Sequence, residues 1–405
     1  MKSVKLKVLC ISRYFKGSEF LKAVHDYGEE CYLLTSTKIK NEPWPYEFIT
    51  EAFYMDEDEN GEWNMNHVIE GLAYKMRELK FDIFVSLDDF DVENASLLRE
   101  HFRLPGIGQT TARYFRDKLA MRMKAEEHGI NIPAFTALFH DGDIDQYINN
   151  VPAPWILKPR GQASATGMKK LYSTEELWET LKKLGNERHN FLLEKFAPGD
   201  VYHVDSLSYD GKVIFTKVSK YLNTPFDVAH GGGIFRSITL GDREKDAIEL
   251  KKLDEKILNS FGMKYSASHT EYIKCNDDGK FYFLETSARV GGAHLSDMVE
   301  AATGINLWAE WAKIEIASKR KTTYKLPKMS KDYAGIIVSL SRFQKPDDSV
   351  FNAPEICWRL NKNYHIGLIV KSSSQSRIKQ LLDLYVEKIK DEFHASLPAP
   401  DKPTS

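Results

Sequence analysis

A chain of 405 residues with 56 basic and 58 acidic side chains carries a net charge of -2. It has neither the basic excess nor the Lys/Arg stripe interleaved with aromatics that a nucleic-acid partner calls for. Its length exceeds what one core normally serves, so two or three domains are expected, and 42% hydrophobic content is that of a soluble globular protein.

Four cysteines, Cys10, Cys31, Cys275 and Cys357, lie too far apart for paired metal-ligand spacing. The apolar run Val8-Leu9-Cys10-Ile11 is too short for a signal core, and no run is long enough to cross a bilayer. Free thiols in the cytoplasm are therefore expected. Residues 8–11, 19–27 and 31–35 read as strand, helix and strand; residues 66–79 read as a helix and 81–86 as a further strand. This alternation argues for a parallel sheet covered by helices. No G-x-G-x-x-G opens the first helix, so the sheet need not bind a dinucleotide. The acidic run from Asp56 to Glu59 reads as a solvated loop.

A helix over 111–128 follows, ended by Asn131-Ile132-Pro133. It carries Lys118, which on its own reads as a solvated surface lysine. Trp155-Ile156-Leu157-Lys158-Pro159 is an apolar strand ending in a lysine. Arg160-Gly161-Gln162-Ala163-Ser164-Ala165-Thr166-Gly167 comes next. Its small residues and glycines leave amides free to surround phosphate oxygens, and the lysine supplies a point charge. No Gly-Lys-Ser/Thr closes it, so it is not a Walker loop, and a plain flexible loop is the alternative. Residues 191–199 read as a buried strand running into a hinge, residues 202–215 as a hairpin around Tyr209-Asp210-Gly211, and His230-Gly231-Gly232-Gly233 as loose backbone.

Ser268-His269-Thr270-Glu271-Tyr272-Ile273 and Phe281-Tyr282-Phe283-Leu284-Glu285 are two strands joined by a turn at Asn276-Asp277-Asp278-Gly279. Pairing them brings the carboxylates of Glu271 and Glu285 together, with Arg289 four residues beyond. Neighbouring carboxylates are costly unless a cation lies between them, and Mg²⁺ favours a few such oxygens plus phosphate oxygens. The plainer reading is a hairpin with charged strand ends. Residues 333–340 and 364–371 read as strands, 375–393 as an amphipathic helix, and the chain from Leu397 onward as a frayed tail.

Any one of these signals occurs by chance, but their order resembles the ATP-grasp superfamily over residues 111–319, about half the chain. Lys158-Pro159-Arg160-Gly161 with Ser164 and Gly167 looks like that family's lysine and phosphate-covering loop. Phe281 to Glu285, continuing to Arg289, is similar to the metal-binding strand of biotin carboxylase and carbamoyl-phosphate synthetase. Ala301-Ala302-Thr303-Gly304-Ile305-Asn306-Leu307 resembles the helix and turn that come next. The fold implied is α/β and α+β. A Rossmann-like domain (1–110) would precede an ATP-grasp domain of two α+β lobes (111–319), and a small C-terminal α/β domain (320–405) would complete the substrate site.

The resemblance also implies roles. Lys118 and Lys158 would contact the α- and β-phosphates of ATP, with Ser164 and Gly167 in the covering loop. Glu194, with the backbone of Lys195 and Ala197, would hold the adenine edge. Glu271 and Glu285 would bind Mg²⁺, two ions in all, with Mn²⁺ a substitute. Many relatives have an asparagine metal ligand where this chain has Ser287, a weaker donor. Where relatives place an acidic residue for the ribose hydroxyls this chain has Val201, so Asp200 or His203 would stand in. Arg289 would face the phosphate and the developing tetrahedral centre.

The activity implied is that of a carboxylate–amine ligase. ATP activates a carboxylate as an acyl phosphate, an amine displaces phosphate, and the amide leaves with ADP. The domain order resembles the bacterial L-amino-acid ligases, which form dipeptides; arginine-preferring members are among them, though no residue here fixes that preference. Small-molecule carboxylate and amine partners, with neither nucleic acid nor membrane, fit this reading, as does a homodimer. The alternatives are a carboxylase-type enzyme activating bicarbonate and a non-catalytic ATP-sensing protein. No biotin-carrier Met-Lys-Met is present, and binding alone would not require Arg289.

Overall fold

The computed structural model describes residues 4–162 and 166–396. Ser164 and the tail from Leu397 lie outside the described residues. The N-terminal strands β1 (Lys7–Ser12), β2 (Glu30–Ser36), β3 (Glu51–Met55) and β4 (Ile83–Ser86) form a parallel sheet in the order β3-β2-β1-β4. The side-chain period of two splits β1 between two cores. Val8 and Cys10 pack with Phe20 and Val24 of helix Ser18–Asp26, whereas Leu9 and Ile11 pack with Val68 and Leu72 of helix Met65–Lys75. Strand β3 and helix Val92–His101 escape the sequence reading. The first is a half-buried edge strand, and the apolar stripe of the second is broken by polar residues.

A small antiparallel sheet follows, β5 (Phe135–Ala137), β6 (Trp155–Pro159), β7 (Lys169–Leu171) and β8 (Phe191–Lys195), ordered β5-β8-β6-β7. Trp155, Leu157 and Leu193 pack with residues of helices Asp141–Asn150 and Thr174–Leu184. The same period therefore turns Ile156, Lys158 and Glu194 to the opposite face.

The large sheet is assembled from β9 (Gly199–Tyr209), β10 (Lys212–Tyr221), β11 (Phe235–Thr239), β12 (Ser266–Cys275), β13 (Phe281–Ser287), β14 (Tyr333–Leu340), β15 (Ile356–Arg359) and β16 (His365–Ser372). Its order is β13-β12-β9-β10-β11-β14-β16-β15. Within residues 320–396, β14 pairs with β11 (Ser237 opposite Ile336) and carries the sheet onward. Helix Gln375–Glu392 packs closely on this extension, and a Cβ on Gly335 would lie 2.6 Å from Ile378 Cγ2. The N-terminal sheet packs against the large one. Phe20 and Val24 share a core with Leu207, Ala267 and Trp311, the last on helix Leu307–Arg320.

Two further expectations are corrected. The helix over 111–128 is two helices, Gln109–Arg113 and Lys118–Glu127. Asp117 starts the second, its carboxylate accepting from the amides of Leu119 (2.9 Å) and Ala120 (3.4 Å), which puts Lys118 in the first turn. The loose backbone at 230–233 is partly helix, Pro225–Gly231, ended by Gly232 at φ +63°. Among the described residues no helix is long and apolar enough to cross a membrane.

Candidate active site

Antiparallel pairing of β9, β12 and β13 arranges six polar residues as a grid on one face. Glu271 lies opposite Glu285 on one side and His203 on the other; His269 lies opposite Ser287 and Asp205. Buried Tyr272, Phe281 and Phe283 anchor the hairpin in the core below. The grid borders a cavity of about 620 Å³, to which the segment after β4 contributes Asp89, the small lobe Lys158 and Lys195, and the large lobe Glu271, Glu285 and Arg289. Lys118, Gly167's neighbour Thr166, Ala197 and Ser287 also line it.

Each cavity carboxylate has a compensating partner. Glu285 Oε2 lies 2.6 Å from Lys118 Nζ, which also donates to the carbonyl of Gln162 at 2.7 Å. Glu271 Oε1 accepts from the Tyr221 hydroxyl at 2.8 Å and lies 3.7 Å from His269 Nε2. Burial opposes the charge of Glu271, but His269 and Tyr221 outweigh it and hold its carboxyl below the usual range. Two carboxylates meeting across a strand pair, with a serine hydroxyl beside them, are an oxygen donor set suited to a hard divalent cation.

The cations are held the same way. Lys158 Nζ lies 2.7 Å from Glu194 Oε2, and Arg122 Nε lies 2.7 Å from Glu194 Oε1, with Arg122 and Glu194 fully buried. Glu194 lines the cavity with its carboxylate between these two cations, and the hinge residues Lys195 and Ala197 line it beside Glu194. Arg122 was missed, and its signal was its place one helical turn after Lys118. Arg160 pairs with Asp117 and accepts the Lys118 amide on its carbonyl at 2.9 Å, so the loop begins docked on the Lys118 helix. Gly167 has φ +71°, and a Cβ there would lie 3.0 Å from Pro159 Cγ.

His203 is corrected as well. It is buried, with Nδ1 on Asp205 Oδ2 (2.9 Å) and Nε2 on Ser237 Oγ (2.8 Å), so both nitrogens are occupied away from the cavity. Asp200, the other ribose candidate, pairs with Lys220 at 2.6 Å. His203, Asp205 and His269 could together ligate a metal, but hydrogen bonds among themselves already satisfy them. Burial opposes charge on His269, yet Asp205 and Glu271 outweigh it and push it up to about 10.

Arg289 pairs with Asp89, a residue the sequence reading did not single out. Its signal was its position just past the carboxyl end of a parallel strand, where α/β sheets place ligands. Burial works against its charge, but Arg289 and Arg116 hold the carboxyl far below the usual range. Asp89 Oδ1 and Arg289 Nε are both buried without a hydrogen-bond partner among the described residues.

No protein-family model matches the chain. An L-arginine-specific L-amino acid ligase of Bacillus subtilis is 27% identical over 242 residues, 58% of each chain. The chain therefore spans under two thirds of that relative. The crystal structure of an L-amino acid ligase from Bacillus licheniformis superposes with a TM-score of 0.75 at 18% identity, covering 99% of this chain and 100% of that one. A biotin carboxylase domain from Hydrogenobacter thermophilus, solved with MgADP and bicarbonate, superposes with a TM-score of 0.70 at 16% identity over 93% of this chain and 89% of its own.

Proposed function

We propose that the chain is an ATP-grasp carboxylate–amine ligase, a reading supported by its likeness to L-amino acid ligases in sequence and in fold, and that it forms an amide from an amino-acid carboxylate and an amine, with ATP converted to ADP and phosphate. The observation that carries this reading is the register placing Glu271 opposite Glu285 beside Lys118, Lys158 and Arg289 in one cavity.

ATP lies with its adenine edge on the Lys195 and Ala197 backbone and its phosphates toward Lys118 and Lys158. Both lysines exchange a carboxylate partner for phosphate oxygens as the nucleotide enters. Glu271 and Glu285, with Ser287 as a weaker donor, would hold two Mg²⁺ ions. Bound Mg²⁺ supplies neutralisation of charge on the transferring phosphoryl group. A free carboxylate is a poor electrophile; attack of its oxygen on the γ-phosphorus expels ADP and leaves an acyl phosphate. The guanidinium of Arg289 faces that phosphate and then the oxyanion formed when the amine adds. Asp89 orients Arg289, and its unpartnered Oδ1 accepts from an ammonium, which fits an amino-acid substrate better than bicarbonate. Collapse of the tetrahedral centre releases phosphate and the amide.

The test is phosphate release from ATP screened over pairs of the twenty amino acids, with product mass. ADP, phosphate and a dipeptide mass are expected. AMP and pyrophosphate would overturn the reading, and turnover stimulated by bicarbonate without an amine would favour the carboxylase alternative.

A further inference from the structure

Behind Glu271 lies a chain of contacts that the proposed reaction does not use. Asp205 Oδ1 accepts from His269 Nδ1 at 2.8 Å, and the other ring nitrogen of His269 faces Glu271 Oε1 at 3.7 Å. The second oxygen of Asp205 is taken by His203 at 2.9 Å, and His203 is itself tied to Ser237, so Asp205 is held from two sides. Asp205 is fully buried. A separate observation points to the same pair. A Cβ built on Gly291 would lie 2.8 Å from His269 Nδ1 and 2.9 Å from Asp205 Oδ1, closer than real Cβ atoms approach. The backbone two residues past Arg289 therefore rests directly on the Asp205–His269 hydrogen bond, and only glycine fits there.

We propose that Asp205 and His269 are positioning residues: through one hydrogen-bonded pair they orient the carboxylate of Glu271 and seat the loop that carries Arg289. Tyr221 and the imidazole of His269 approach the same oxygen of Glu271, Oε1, and together they restrict rotation of the carboxylate about its last bond more than Tyr221 does alone. The same imidazole cannot shift without disturbing Gly291, so the metal carboxylate and the Arg289 loop are set by a single element. Partners behind a metal ligand commonly change metal affinity ten- to a hundredfold when removed. The proposal rests on Glu271 being a metal ligand.

The experiment measures Mn²⁺ binding by electron paramagnetic resonance, without turnover, in the presence of saturating ADP. ADP binding without metal and thermal melting are measured beside it. Asp205→Asn, His269→Leu and Gly291→Ala are each expected to raise the Mn²⁺ dissociation constant about tenfold, with metal-free ADP affinity within twofold of wild type. Glu271→Gln is the reference and should weaken Mn²⁺ more than any of them. Should a buried variant fail to fold, Gly291→Ala decides, since it alters the seat from the loop side. If Glu271→Gln weakens Mn²⁺ binding and folded Asp205, His269 and Gly291 variants do not, the positioning role is overturned while the metal-ligand reading stands. Unaltered Mn²⁺ binding in Glu271→Gln overturns the metal-ligand reading and the proposal with it.

Discussion

Arg122→Met tests how the cavity frees Lys158 for a phosphate. In the described state Glu194 lies between Lys158 and Arg122, each 2.7 Å away, and is fully buried. Burial works against the charge of Glu194, and Arg122 is the stronger of the two cations keeping its carboxyl below the usual range. While Arg122 is present, Lys158 can leave for a phosphate and Glu194 keeps a partner. Methionine fills similar volume without charge, so the same movement then strands a buried carboxylate. Leaving a buried charge without its partner costs about 3–5 kcal/mol. At about 1.4 kcal/mol per tenfold, the lower figure is a loss of about 150-fold in nucleotide affinity. Thermal stability should fall less, because Lys158 still pairs with Glu194 when no nucleotide is bound.

Titration calorimetry with ADP, free of turnover, reads the effect. The pH dependence supplies the signature. A carboxyl with a depressed folded pKa contributes stability above its unfolded value of about 4.3, lost as pH falls through the folded pKa. In Arg122→Met with Lys158 drawn to a phosphate, both cations that hold the carboxyl down have left and burial pushes it up, so mild acid protonates Glu194 and relieves the stranding. The affinity deficit should shrink between about pH 7.5 and pH 5.5, and Arg122→Lys should recover most of the loss. A deficit independent of pH, or undiminished ADP affinity, would refute this reasoning.

Glu285→Gln should lower kcat/KM at least about a hundredfold in steady-state assays, since several kcal/mol of transition-state stabilisation are removed; Asp277→Asn, exposed in the turn of the same hairpin, should leave it within twofold. Asp254 is fully buried, and burial pushes its carboxyl up to about 6 despite hydrogen bonds from Ser206 and Tyr272. Its protonated form therefore stabilises the fold fully below about pH 4, and that contribution is lost as pH rises through about 6. Asp254→Asn should accordingly raise Tm at pH 8 relative to pH 5, by the equivalent of about 1.4 kcal/mol; an equal shift at both pH values would count against it. Gly167→Ala places a side chain at φ +71° against Pro159, the neighbour of Lys158, and should weaken ADP binding in calorimetry because the strain displaces that strand end.

Local pattern decided a good deal on its own. The near-continuous apolar runs of β1, β2 and β4 specify buried parallel strands, and the turn from Asn276 to Gly279 specifies an antiparallel hairpin. A strict side-chain period of two would turn Glu285 to the buried face of Phe281 and Phe283; a register shift between Glu271 and Tyr272 brings it beside Glu271 instead, and the turn alone does not announce that shift. Lys158 was legible as a charged residue one step out of phase with Trp155 and Leu157. What the sequence could not decide is which charges meet, because those partners are far apart along the chain. Asp89 reaches Arg289 across 200 positions, and Arg122 reaches Glu194 from another lobe. No periodicity records such pairs; they follow from how the three sheets pack. Packing likewise took His203 out of the role its position suggested and set Glu194 between two cations. A buried polar group takes whichever partner lies within hydrogen-bond reach, and only the tertiary structure sets that distance.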